Sequence, residues 1–262
     1  MQNGLQLYAR YAAISLRGQM QYRVSFILQS IGAFLVTAME FVAMWMLFDR
    51  FGQLRGWTLP QVALLYGMIS VTFAISDAIS RGFDQFGNTI KAGDFDRLLL
   101  RPRSTVLQLL GQELTLRRVG RLLQGILILS YAIATLDVSW NIARIALLPI
   151  SIACGVCLFL GLFVLQATSA FWTTESLEVW NAFTYGGVFM SQYPISIYRT
   201  WFARFFTFVI PLACVNYYPA LAILGRDTSV RHWLAPLAGI AFLLISLQVW
   251  KFGVRHYRST GS

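Results

Sequence analysis

The side chains in this sequence that could do chemistry are few, and their spacing argues against most of it. Lys91 and Lys251 are the only lysines, and they follow Ile90 and Trp250. A loop that cradles nucleotide phosphates needs a glycine-rich turn whose last glycine precedes Lys and then Ser or Thr. No such loop is present. His232 and His256 are the only histidines, and neither H-E-x-x-H nor a nucleophile elbow accompanies them. Glu175 and Glu178 share a helical face in a short acidic stretch, which reads as a solvated or subunit-contacting face rather than a catalytic pair. Cys154 and Cys157 form C-x-x-C inside an apolar run without flanking His or charge. That setting favours core packing over redox or metal chemistry, so no metal ligands and no catalytic residues are assigned.

Two carboxylates remain, Glu40 and Asp77, both inside apolar runs. An ionised carboxylate in hydrocarbon costs roughly 3 kcal/mol or more unless it faces a cavity or a partner, so function is its default reading. The chemistry on offer is attraction of a cation. The competing reading is a hydrogen bond to a neighbouring helix, or proximity to lipid headgroups, for Asp77 above all. Trp172, Trp180, Phe183, Tyr185, Phe189 and Tyr193 could line a path for flat or apolar molecules, though aromatics at such places also serve as bundle core or interface belts. Glu40, Asp77, Phe183 and Phe189 are the candidate substrate path.

The elements that must position these residues are membrane helices. Hydrophobic residues make up 57% of the 262 and charged ones 12%, whereas a soluble domain is about a quarter charged. The apolar runs are too long for a barrel's alternating strands. The fold class is an all-α integral membrane protein. Its net charge of +10 comes mostly from basic residues flanking the runs, the signature of the positive-inside bias, so no nucleic-acid partner is expected.

Residues 3–22 form an amphipathic pattern, with Leu5, Tyr8, Ala12 and Leu16 on one face and Arg10 and Arg17 on another. This predicts an interfacial helix on the lipid surface over residues 1–23, and no cleavable signal peptide. Six spans follow: Val24–Phe48, Pro60–Ser80, Val119–Leu136, Ile142–Thr168, Val179–Ile197 and His232–Trp250. The run Phe205–Leu224 is long enough to span, but Pro211 and Pro219 interrupt it. Reading residues 198–231 as an outer re-entrant helical pair keeps the basic tail on the side of the basic amino terminus. Both termini are then cytoplasmic.

The polar island over residues 81–121 is the exception among these runs. At its centre, NTIKAGDFDRLLLRPRS carries Lys91, Arg97, Arg101 and Arg103 against Asp94 and Asp96. Gly93 suits the left-handed stop of a short helix ending at Ala92. Pro102 disfavours helix at Arg101, and Ser104 is a good cap for the next helix. Leu98–Leu100, apolar between charges, is suited to docking on another protein or on the foot of its own bundle.

The stretches AGDFDRLLLRPRS, YPISIYRTWFARFFTFVIPLACVNYYPALAILG and GVRHYRSTGS stand in that order. Together with the amphipathic start, six spans, charged loop and re-entrant hairpin, they resemble a bacterial branch of the type-2 ABC exporter permeases over essentially the whole chain. The resemblance implies a single permease domain, 1–262, in the bacterial inner membrane. It also implies pairing with a second permease, identical or related, and docking of two ABC ATPase subunits, which would bind the ATP and Mg. By position the coupling element falls at Phe83–Ala92, with Gly93–Arg101 beside it. Phe83, Asn88, Ile90, Lys91, Asp94, Asp96, Arg97, Leu99 and Arg101 are its candidate residues. Relatives of this branch suggest drug-like or amphiphilic cargo, including cationic viologens. The alternative classes are a passive channel, a membrane scaffold and, last, an intramembrane enzyme.

Overall fold

The computed structural model describes residues 13, 18, 21, 23–112, 118–173, 177–227 and 229–257. The expected interfacial helix falls almost wholly outside these residues, and so does Glu175. Among the described residues the regular secondary structure is all helical, apart from one bridge between Leu54 and Trp57.

Among the described residues four helices are long and apolar enough to cross a membrane: α1 (Arg23–Phe51), α2 (Leu59–Ile79), α8 (Ile142–Ser169) and α14 (Leu237–His256). Between α2 and α8 lie α3 (Arg81–Asp84), α4 (Phe86–Lys91), α5 (Asp94–Leu99), α6 (Thr105–Gln112) and α7 (Val119–Thr135). After α8 come α9 (Leu177–Ser191), α10 (Thr200–Phe208), α11 (Leu212–Val215), α12 (Tyr217–Ile223) and α13 (Val230–Leu234). Local chemistry sets the boundaries. Thr58 N–H donates to the Gln61 side chain at 3.2 Å at the start of α2. Asn141 Oδ1 accepts from Arg144 N at 2.8 Å at the start of α8, as an N-cap should.

Against the expected six spans, α7 and α9 are helical but short, 17 and 15 residues, below the ~20 that cross a hydrocarbon core untilted. The fifth run ends as helix at Ser191, ahead of Pro194, and only a single turn at Ile195–Ile197 continues it. Pro236 divides the sixth run, leaving α13 as a separate short helix. The run after Arg204 is broken, with α10 and α11–α12 bent by 72°. Pro211 sits in that bend. Pro219 lies in the first turn of α12, where its missing N–H costs little, so it breaks nothing. The second break falls at Asn216, at φ −123° and ψ −62°.

Small residues set the helix contacts. A Cβ built on Gly67 of α2 would lie 2.8 Å from Leu129 Cα of α7, and one on Gly155 of α8 would lie 2.6 Å from Thr72 Cγ2 of α2. Gly239 of α14 lies directly on the Cys154 carbonyl of α8. Without a hydrophobic force between helices in lipid, such close backbone approach is what van der Waals packing needs.

Candidate functional site

The island folds as predicted at its turn. Gly93 adopts φ +70° between α4 and α5, a conformation costly for residues with a Cβ. Its inner face is aromatic. Phe83, Phe86, Ile90 and Phe95 are buried. Phe86 meets Phe95 edge-on at 5.0 Å and Phe171, beyond α8, at 5.3 Å. Phe95 meets Tyr257 at 5.0 Å. Gly82 lies against the Leu109 carbonyl of α6. Two of the proposed coupling residues, Phe83 and Ile90, therefore point into the bundle and fix where the segment sits.

The other candidates make the outer face. Asn88, Lys91, Arg97, Leu99 and Arg101 are exposed, and Asp94 is half-buried. Arg97 and Asp94 form an i,i+3 pair at 3.3 Å with the Arg97 side chain 81% exposed, an arrangement that contributes well under about 1 kcal/mol. The leucine trio divides: Leu98 packs against the core, while Leu100 is 86% exposed, more than Leu99. Asp96 is half-buried beside Tyr257, and burial, followed by that carboxylate, raises the Tyr257 phenol above its ordinary value. A cleft of about 340 Å³ opens between α5 and α6, lined by Asp94, Arg97 and Arg101 with Gln108 at its back. Gln108 was not among the expected residues. Its Nε2 donates to the Leu98 and Arg103 carbonyls at 3.1 and 3.2 Å, tying down the Pro102 turn.

The intramembrane carboxylates have partners. Asp77 is 1% exposed, and its carboxylate lies 2.6 Å from Arg118 Nε. Arg118 in turn donates to the Tyr185 hydroxyl of α9 at 3.2 Å. Nearby, Asp84 pairs with Arg81 at 2.6 Å and accepts from Gln166 of α8 at 3.1 Å. Glu40, half-buried on α1, adjoins the Tyr66 hydroxyl of α2. That hydroxyl donates to the Thr37 carbonyl at 3.0 Å, and Gln124 of α7 donates to both. Phe183 packs on Phe205 of α10 at 6.0 Å, and Phe189 is exposed. The four candidates for a substrate path are thus distributed over different helix contacts. Arg118 was missed because nothing in the sequence marks which of several basic residues folds back onto Asp77.

Apolar helices of spanning length around buried ion pairs, with a charged segment held at one end, define a multi-pass membrane protein. The sequence model of a family described as ABC-2 family transporter protein matches residues 34–261. The chain belongs to that family and is a permease component of an ABC transporter, a role that implies association with an ABC ATPase subunit. No curated protein and no solved structure matches it.

Proposed function

We propose that this permease is the membrane half of an ATP-driven exporter in a bacterial inner membrane, with both termini and the island cytoplasmic. In this reading two permeases, identical or related, form the path, and two ATPase subunits carrying ATP and Mg seat on the islands. The spans are α1, α2, α7, α8, α9 and α14, while α10–α12 form the outer re-entrant pair. The short α7 and α9 cross with the residues that flank them. The carrying observation is the island's two-sidedness: an aromatic face built into the bundle, and an outer face of Lys91, Arg97, Arg101 and bare Leu100. Leu99 and Leu100 are exposed side by side among these charges, a mixed apolar and basic surface that a docked partner would cover. The sequence holds no phosphate-cradling loop, and in this reading the energy enters through this face.

The cargo we infer is an amphiphilic cation, with Glu40 as the residue that attracts it. Asp77, already neutralised by Arg118, is the weaker candidate. Inside-out vesicles bearing the permease and its ATPase test both direction and energy source. ATP-dependent uptake of a fluorescent lipophilic cation supports export. Flux that ignores ATP supports the channel reading.

A further inference from the structure

Trp250, near the end of α14, is 1% exposed. Its ring meets Phe83 of α3 at 5.4 Å, Phe86 of α4 at 5.0 Å and Phe95 of α5 at 6.3 Å. Phe171, just past α8, lies 5.3 Å away on the same ring. Its Nε1 donates to Thr105 Oγ1 of α6, 145 residues away, at 3.1 Å. One side chain therefore touches each short helix of the island, together with the end of α8.

What lies behind Trp250 is rigid. One turn on, a Cβ at Gly253 would fall 2.7 Å from the Phe171 ring and 2.8 Å from Thr168 Cγ2. Farther along, Gly161 of α8 lies against the Phe242 ring, and Gly239 against the Cys154 carbonyl. Helices α8 and α14 are thus in close contact at three levels. Gly67 of α2 and Gly125 of α7 bring those two helices together in the same way, and the two pairs meet where Gly155 of α8 faces Thr72 of α2. The island is continuous in sequence with α2 through Ser80, and Arg118 reaches back to Asp77, but the aromatic side chains of α3, α4 and α5 are seated on α14 and the end of α8. A close-packed interior passes displacement on rather than absorbing it.

We propose that Trp250 is the joint through which the island drives the membrane helices, so that α8 and α14 move with the island as one unit against α2 and α7. This rests on the reading that the ATPase seats on the island's outer face. Trp250 contacts neither that face nor a substrate path. It is a positioning residue.

The test uses the purified permease–ATPase complex with the native cysteines replaced and spin labels at two exposed sites, Leu244 of α14 and Leu127 of α7. With Trp250 intact, trapping the ATP-bound state should change the label separation by about 2 Å or more. In Trp250→Leu the ATPase should copurify as before and the change should vanish. Trp250→Phe, which keeps an aromatic ring, should restore most of it. A change that persists in Trp250→Leu overturns the proposal, as does a wild type that shows none. Loss of the ATPase together with the change would make Trp250 a support of the docking face only, which also overturns it. Should Trp250→Leu fail to accumulate, Trp250→Met carries the test. It keeps a bulky apolar side chain without a ring, and an undiminished change overturns the joint. The docking reading fails separately, when Arg97→Glu leaves the ATPase bound.

Discussion

Helices α1 and α2 are consecutive, equally apolar and joined by one short loop, yet they live in different surroundings. Of the apolar stretch of α2, 83% is buried inside the chain, against 17% for α1. Buried residues of α1 are confined to Thr37, Met44 and Phe48, a stripe at i, i+7 and i+11. Along α2 nearly every residue from Val62 to Asp77 is buried. Hydropathy reports that a helix avoids water. It does not report whether lipid or protein covers it. That distinction comes from the small residues that admit a neighbour's backbone, and from the polar side chains that find partners.

The sharpest way to break this comparison is one substitution made on both helices. Gly67 of α2 has the Leu129 backbone 2.8 Å from where a Cβ would stand, and Gly32 of α1 has nothing within 4 Å. Gly67→Val should cost more than about 3 kcal/mol, since neither backbone can yield, and the permease should largely vanish from membranes. Gly32→Val should change stability by less than about 0.5 kcal/mol. Immunoblots of membrane fractions and thermal unfolding in detergent check both. Equal losses would mean that α1 is as enclosed as α2.

Next in size is the buried ion pair at the foot of α2. Removing one partner of a buried pair costs about 3–5 kcal/mol, but the Arg118 side chain keeps 30% of its surface exposed and can turn to water. Asp77→Ala should therefore destabilise by about 1–3 kcal/mol. Asp77→Asn should cost less, and Arg118→Gln should partly rescue Asp77→Ala. Unfolding midpoints of the three variants decide it. No rescue would show that the pair does not act as a unit.

These two tests also mark what the sequence disclosed. The turn at Gly93, the start of α8 behind Asn141 and the bounds of α1 and α2 were legible, because capping residues and prolines act within a few positions. Asp77's partner was not, because ion pairing depends on where Arg118 returns in space. The floor under the island was hidden for the same reason. Phe83 reads as one more aromatic until Trp250 arrives from the far end of the chain. The interruptions at Pro194 and Pro236 follow from local rules, and they matter because they shorten spans that composition alone would draw longer.

A smaller effect is expected at Glu40, which is half-buried on α1 beside Tyr66. Glu40→Gln keeps the shape and an amide that can hydrogen-bond, so abundance should shift by less than about 1 kcal/mol in stability terms. Transport of a lipophilic cation should fall while that of a neutral compound is spared. Equal loss for both, with less protein in the membrane, would make Glu40 a structural partner of the α1–α2–α7 contact.

The smallest effect on the fold, and the most direct test of the whole account, lies on the island's outer face. Arg97 is 81% exposed, and its pair with Asp94 spans one helical turn, so reversing it removes well under about 1 kcal/mol from the fold. At a docked interface, like charges set against each other can cost several kcal/mol. Copurification of the ATPase with Arg97→Glu permease, scored against permease abundance in the same membranes, separates the two. We predict normal abundance with the ATPase lost; normal or reduced abundance with the ATPase still bound would contradict the island's role as the docking face.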